Sequence, residues 1–170
     1  MAIVVEDGSG KADAVAYAST SDGDAYFAAR GSPSAWASAS TTAKEIALVA
    51  ATDYIDRAYG PRFSGDRASI TQRLGWPRAG VERDGIVLDV APLPRELREA
   101  CIEAALRYIQ NGAFIVDIDS PGTVIEEEVS VGDLSKRTKY AGGKGVGKQY
   151  PIVGCLLGPL LVSSASMERS

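Results

Sequence analysis

The stretch Leu93-Pro-Arg-Glu-Leu-Arg-Glu-Ala-Cys-Ile-Glu-Ala-Ala-Leu-Arg-Tyr-Ile-Gln-Asn-Gly112 constrains the fold more than any other. Pro94 suits the first position of a helix, where its missing N–H would have had no intrahelical partner. Gly112 falls just past the last apolar residue, where a left-handed cap is wanted. Leu97, Cys101, Ala104 and Tyr108 form one stripe at helical spacing, and Ile102, Leu106 and Ile109 a second beside it. A helix with so wide an apolar face is packed on more than one side and acts as a hub. On its outer surface Arg95 with Glu99, and Glu103 with Arg107, stand at i,i+4 spacing, where such pairs add about 0.2–0.5 kcal/mol each.

A second long helix is marked by Thr42 followed by Glu45, a capping-box pattern ahead of Ile46, Val49 and Ala50. Leu48, Ala51, Ile55 and Tyr59 lie along a neighbouring row, and Gly60-Pro61 stops the helix. The two helices, at about 43–59 and about 94–111, can bury facing stripes, each fully buried Leu or Ile adding ~1.5–3 kcal/mol. A shorter helix is expected over about 20–30, with Tyr26 and Phe27 inward, Gly31 at its end and Pro33 enforcing the break. Before it, Val4 to Gly10 reads as an extended arm entering a glycine turn.

The connection over 61–92 is too long to lack local structure. Ser69 to Leu74 has room for one or two helical turns. Leu74-Gly-Trp-Pro-Arg78 then makes an extended corner, with Trp76 anchoring the excursion onto the helices and Arg78 positioning it. Arg62, Arg67, Arg73, Arg78 and Arg83 give this segment a basic bias open to two explanations, subunit contacts or solvated charge.

After Gly112 the pattern changes. Phe114 to Ile118 is a short apolar run, and Pro121-Gly122 a turn. Thr123 to Val131 reads as a strand that returns over Ser135 to Tyr140 through Gly132-Asp133. Glu126, Glu127 and Glu128 on the first arm oppose Lys136, Arg137 and Lys139 on the second, so cross-strand pairing can cancel much of both charges. A glycine-rich loop, Ala141 to Lys148, follows. Tyr150 to Val162 is strongly apolar yet cut by Gly154, Gly158 and Pro159, which allows one short helix from Pro151 and an extended arm. Such an arm buries on its own core or on a partner, and its removal is expected to leave a folded, assembly-deficient monomer. Ser163 to Ser170 is expected to fray.

The fold class expected is mainly α: a small helical bundle around two long amphipathic helices, with an inserted β-hairpin at about 123–140 and an extended C-terminal arm. One domain is expected over 1–170, with a helical core at about 20–112, the hairpin and basic loop at about 113–149, and the apolar segment at 150–170.

At 170 residues, 45% hydrophobic and 24% charged, the composition fits one soluble core. A net charge of −4 argues against a general nucleic-acid coat. No apolar run reaches membrane length, and Ala2 to Val5 is too short for a signal peptide before Glu6 and Asp7, so a cytoplasmic start without a membrane partner is expected. The absence of histidine removes Ser-His-Asp and Cys-His catalysis and nearly all zinc hydrolase sites. Cys101 and Cys155 lie in apolar stretches without metal-ligand spacing and read as buried free thiols. No catalytic residue, cofactor or metal is expected.

Gly142-Gly-Lys-Gly-Val-Gly-Lys148 nearly spells a phosphate loop, but Gln149 replaces the magnesium-binding hydroxyl and Pro151 stands where the long helix should start. Glu126 to Glu128 do not make a paired-carboxylate site, because alternate strand residues point to opposite faces. Lys136, Arg137, Lys139, Lys144 and Lys148, near Tyr140 and Tyr150, read as a basic loop or as a single-strand site where cations follow the backbone and aromatics stack on bases. Asp117, Asp119, Asp133 and the three glutamates oppose the latter.

Taken in series, Val5-Glu-Asp-Gly8, Asp24-Ala-Tyr-Phe-Ala-Ala-Arg-Gly31, Ala50-Ala-Thr-Asp-Tyr-Ile-Asp56, Leu74-Gly-Trp-Pro-Arg-Ala-Gly80, Pro94 into Glu103-Ala-Ala105, and Tyr150-Pro151 into Leu156-Leu-Gly-Pro-Leu-Leu161 resemble tailed-bacteriophage head-to-tail connector (adaptor) proteins. They also resemble related phage sequences labelled DnaT-like single-stranded-DNA-binding proteins. The resemblance implies a non-enzymatic structural subunit of the virion, forming a homo-oligomeric ring, commonly a dodecamer, beneath the portal. Its partners would be the portal protein, a downstream tail or stopper protein, and genome DNA in transit during ejection, with assembly in the host cytoplasm. Tyr150, Ile152, Leu156, Leu157, Leu160 and Leu161 are the residues expected at assembly or portal contacts, and Lys136, Arg137, Lys139, Lys144 and Lys148 those expected near DNA or the lumen. An acidic chain suits a conduit, since few phosphate neutralisations mean weak, salt-sensitive contact. The alternative function is that of a single-stranded-DNA-binding protein.

Overall fold

The structure, a computed structural model, describes residues 3–83, 85–112, 124–130, 135–140 and 150–162, the strands at 124–130 and 135–140 by their backbone alone. Among the described residues five helices run in order: α1 (Thr20–Ala28), α2 (Ser34–Ser38), α3 (Thr41–Tyr59), α4 (Arg95–Asn111) and α5 (Pro151–Leu157). Single 3-10 turns follow α3 at Gly60–Arg62 and α5 at Gly158–Leu160. Three antiparallel two-stranded ladders pair β1 (Asp66–Arg67) with β2 (Arg78–Ala79), β3 (Glu82–Arg83) with β4 (Ile86–Val87), and β5 (Val124–Ser130) with β6 (Ser135–Tyr140). The described chain is mainly α with small sheets. It divides into two compact units, Met1–Phe114 with Tyr150–Ser170, and Ile115–Gln149.

In the first unit α4 packs on each of the other four helices. It buries Leu97, Ala100, Cys101, Ile102, Ala104, Ala105 and Leu106, while α3 turns Ala47, Leu48, Ala51, Thr52 and Ile55 toward it. The small residues on both faces let the two backbones approach. Thr52 is polar but satisfied, since its hydroxyl donates to the Leu48 carbonyl at 2.9 Å and accepts the Tyr17 N–H at 3.2 Å. Gly112 closes α4 at φ +77°, its N–H donating to the Tyr108 carbonyl at 2.8 Å. Pro94 lies one position earlier than expected: its ψ of 139° is extended, so it caps the helix instead of opening it.

The start of α3 is a correction. Ser40, not Thr42, is the cap, accepting the Ala43 N–H at 3.2 Å. Three consecutive hydroxyl residues, Ser40, Thr41 and Thr42, offered the role, and the glutamate spacing singled out the wrong one. Ser40→Ala should therefore cost about 1 kcal/mol in urea unfolding, with Thr42→Ala costing much less.

Upstream, Ser19 and Asp22 form the reciprocal capping box of α1. The Pro33 break is followed at once by α2, which the sequence pattern did not indicate. Trp36 of α2 lies tilted against Phe27 with ring centroids 5.1 Å apart and covers Gly23, where a Cβ would fall 2.3 Å from the indole. The indole N–H and the Lys44 ammonium share Asp24 Oδ1, each at 2.8 Å.

Ser69 to Leu74 forms no helical turn. The buried Gln72 side chain provides the bonds instead: its amide donates to the carbonyls of Leu74 at 2.9 Å and Pro77 at 3.0 Å, and its oxygen accepts the Ser69 N–H at 2.8 Å. The extended C-terminal arm is likewise corrected. Residues 150–162 fold onto their own chain, with Tyr150, Val153, Leu157 and Leu160 buried and α5 packed on α4. Leu161 bridges Phe63, and the Val162 N–H reaches the Arg62 carbonyl at 2.8 Å. Val153, Leu157 and Leu160 make a helical stripe, and the second apolar face of α4 receives it. Cys155 points away from that stripe and is exposed, against expectation, whereas Cys101 is buried and its thiol pushed up to about 11 by that burial.

The second unit contains the expected hairpin. Its register sets Glu126 opposite Lys139 and Glu128 opposite Arg137, with an irregularity between Val124 and Glu126. The turn at Gly132-Asp133, the run Phe114 to Ile118, the turn Pro121-Gly122, the loop Ala141 to Lys148 and the tail from Ser163 lie outside the described residues.

Candidate functional site

The corner at 74–78 is a closed polar network and not a reactive one. Tyr17 donates its hydroxyl proton to Asp56, whose other oxygen accepts the Gly75 N–H at 2.8 Å. The Tyr17 oxygen in turn accepts the Trp76 N–H at 3.2 Å. Trp76 is fully buried and meets Phe63 edge-on at 5.8 Å. Arg78 spreads its guanidinium over backbone carbonyls, Ser64 at 2.7 Å together with Phe63, Gly65 and Gly75. The Tyr17 hydroxyl, the Gly75 and Trp76 backbone N–H groups and the Arg78 guanidinium all point at protein acceptors, whereas the buried Trp76 indole N–H has none among the described residues, so the corner fixes the loop on α3.

Burial raises the Asp56 pKa, partly offset by the Tyr17 hydroxyl and the Gly75 N–H. The folded state thus holds this proton more tightly than the unfolded state does. The stabilisation is complete below the unfolded pKa and is lost as pH rises through the folded one. Asp56→Asn removes the titration, so the variant should gain stability relative to the parent as pH rises above the ordinary carboxylate pKa. Paired thermal melts check this, and a pH-independent offset would contradict it.

Of the six apolar residues expected at assembly contacts, Tyr150, Leu157 and Leu160 are buried in their own core, Leu156 and Leu161 are partly buried, and Ile152 remains 41% exposed. Lys136, Arg137 and Lys139 lie on β6. Arg137 and Lys139 share one strand face and stand opposite glutamates, while Lys136 takes the other face, opposite Val129. Lys144 and Lys148 fall outside the described residues. The structure therefore groups only part of the basic set, on a strand whose partner carries matching acids.

Two recesses were not anticipated. The first is an apolar groove of about 480 Å³ on α3, formed by Ile3, Ile46, Val49 and Ala50, with Glu45 and Asp53 on its walls. Ile46, Val49 and Ala50 are the helix row that the sequence pattern assigned to the core, and Ile46 is 54% exposed. The second, about 220 Å³, lies between α1 and α4 and is lined by Tyr26, Arg30, Arg95 and Arg98 with Asp22 and Glu99. Arg30 sits over the Tyr26 ring at 3.7 Å and pairs with Glu99 at 3.7 Å. Burial and the Glu103 carboxylate push the Tyr26 hydroxyl up to about 12. The buried Nε of Arg98 has no hydrogen-bond partner among the described residues. Such a recess suits a small anion, with Glu99 and Asp22 reducing its net charge.

The family model described as "Putative DnaT-like ssDNA binding protein" matches residues 1–170, the entire chain. The chain belongs to the DnaT-like ssDNA binding protein family. No curated protein and no solved structure matches it. Among the described residues of this DnaT-like chain, no helix is long and apolar enough to cross a membrane. Nor, among them, do three or more His, Cys, Asp or Glu side chains gather as a metal ion would require.

Proposed function

We propose that the chain is a non-enzymatic structural adaptor of a tailed phage, associating with its own copies into a ring beneath the portal that joins capsid to tail and lets genome DNA pass. In this role it needs no cofactor and works in the neck of the virion after assembly in the host cytoplasm. The observation that carries the proposal is the α3 groove. An open recess walled by isoleucine, valine and alanine suits apolar side chains of a protein partner. Glu45 and Asp53 on its walls repel a phosphate backbone. The series of stretches resembling connector proteins and the net charge of −4 agree with that assignment.

Sedimentation velocity over a range of concentrations tests it. The parent chain should self-associate, and Ile46→Asp, at an exposed position, should weaken association roughly tenfold or more. Association unchanged by Ile46→Asp would remove the support that the groove supplies.

A second function, single-stranded-DNA binding, is favoured by the family's description and by the arginine-lined recess. It predicts that a labelled oligonucleotide binds at physiological salt, with a steep salt dependence, and that Lys144→Ala with Lys148→Ala abolishes binding. The adaptor role predicts only weak binding, without dependence on those lysines.

A further inference from the structure

Ile70 is 98% exposed, more than any other large apolar side chain among the described residues. The loop that carries it is firmly braced. Gln72 ties it from within, the Arg67 guanidinium donates to the Gln72 carbonyl at 2.6 Å and the Leu74 carbonyl at 3.0 Å, and the Arg73 N–H reaches the Lys11 carbonyl at 3.2 Å. At its tip the Ser69 and Thr71 hydroxyls bond each other at 2.9 Å. A side chain presented on so constrained a backbone loses little conformational freedom when it is buried by a partner. Beside it Arg73 is exposed, and its guanidinium has no hydrogen-bond or ion-pair partner among the described residues.

The α3 groove offers the complement, being apolar at Ile46, Val49 and Ala50 and carrying Glu45 and Asp53 on its walls, the latter in an exposed i,i+4 pair with Arg57 at 3.7 Å that is weak enough for Arg73 to compete with. No residue of the Ile70 loop lines it, and both surfaces stand open in the same chain. We infer that the Ile70 loop of one copy seats in the α3 groove of a second copy, Ile70 against Ile46 and Val49, and Arg73 beside Glu45 and Asp53. The inference rests on the self-association proposed above and names the surfaces that carry it. Knob and groove are different patches, so the contact is heterologous: each joined pair keeps one unused knob and one unused groove. Repetition closes a ring if the rotation permits and otherwise continues as a filament.

The full-length chain tests this by complementation. Ile70→Asp removes the knob and leaves the groove; Ile46→Asp does the reverse. Both positions are exposed, and circular dichroism with thermal melts verifies that each variant folds. In sedimentation velocity each variant alone should be monomeric, whereas an equimolar mixture should yield a one-to-one dimer and nothing larger. Arg73→Glu should weaken association of the parent roughly tenfold, and adding Asp53→Arg to the same chain should restore it. If the parent chain associates and Ile70→Asp associates equally well, this pairing is wrong while the adaptor proposal stands. If a mixture of the two variants stays monomeric although the parent associates, the pairing is also wrong. If the parent chain never associates, the self-association proposal fails and takes this inference with it.

Discussion

Arg78→Ala should lower stability by about 3–4 kcal/mol, which for a chain of this length corresponds to a fall of roughly 6–15 °C in thermal midpoint. The guanidinium is the shared donor for the consecutive carbonyls of Phe63, Ser64 and Gly65 and for that of Gly75, so it ties the turn after α3 to the corner. Removing it leaves partly buried carbonyls without partners, and that desolvation penalty exceeds the net value of the bonds themselves. Arg78→Lys should recover less than half of the loss, because one ammonium cannot reproduce the spread of a planar fork. Urea titration of the three proteins measures both differences. A loss below about 1 kcal/mol for Arg78→Ala would mean that the corner is held mainly by Trp76 packing.

Truncation after residue 149 should leave the chain unfolded at about 25 °C. Tyr150, Val153, Leu157 and Leu160 are all buried in the first unit. At ~1.5–3 kcal/mol for each large apolar side chain, their loss is comparable to the whole stability of a typical domain, about 5–15 kcal/mol. The milder Leu157→Ala should cost about 2–5 kcal/mol. Near-ultraviolet circular dichroism of the truncated chain should be flat. A cooperative melt would show instead that the segment is dispensable to the core, as the sequence pattern alone led one to expect.

That reversal illustrates what is readable in a chain of this kind. The stripes of α4, its glycine cap and its i,i+4 ion pairs, Arg95 with Glu99 and Glu103 with Arg107, follow directly from spacing and are present. The facing row of α3 and the register of Glu126 with Lys139 are equally local consequences of period and charge. Periodicity says that a row is apolar, however, and not which neighbour covers it. Ile46, Val49 and Ala50 therefore looked like core and line an open groove, while Leu157 and Leu160 looked available to partners and are enclosed.

Side chains that replace backbone bonds were harder still to foresee. Gln72 builds a loop that composition allowed as helix. The buried Glu6 carboxylate accepts N–H groups of Asp7, Gly8, Gly10 and Lys11, where the sequence showed only an arm entering a glycine turn. The role of Trp36 is hidden in the sequence because Pro33 signals the end of one helix and also caps the next. Of the candidate contact surface, the apolar composition of the α3 row was legible, but its exposure was not, because exposure depends on what packs beside it.

The adaptor proposal has this DnaT-like chain docking to protein, whereas its alternative has it gripping a nucleic-acid strand. Electron microscopy of the purified chain mixed with a portal protein encoded in the same genome separates the two most directly. The adaptor account predicts a coaxial ring of copies stacked on the portal, lost when Ile46 is replaced by Asp. Bare portals, with the chain instead coating an added single-stranded oligonucleotide at physiological salt, would contradict it.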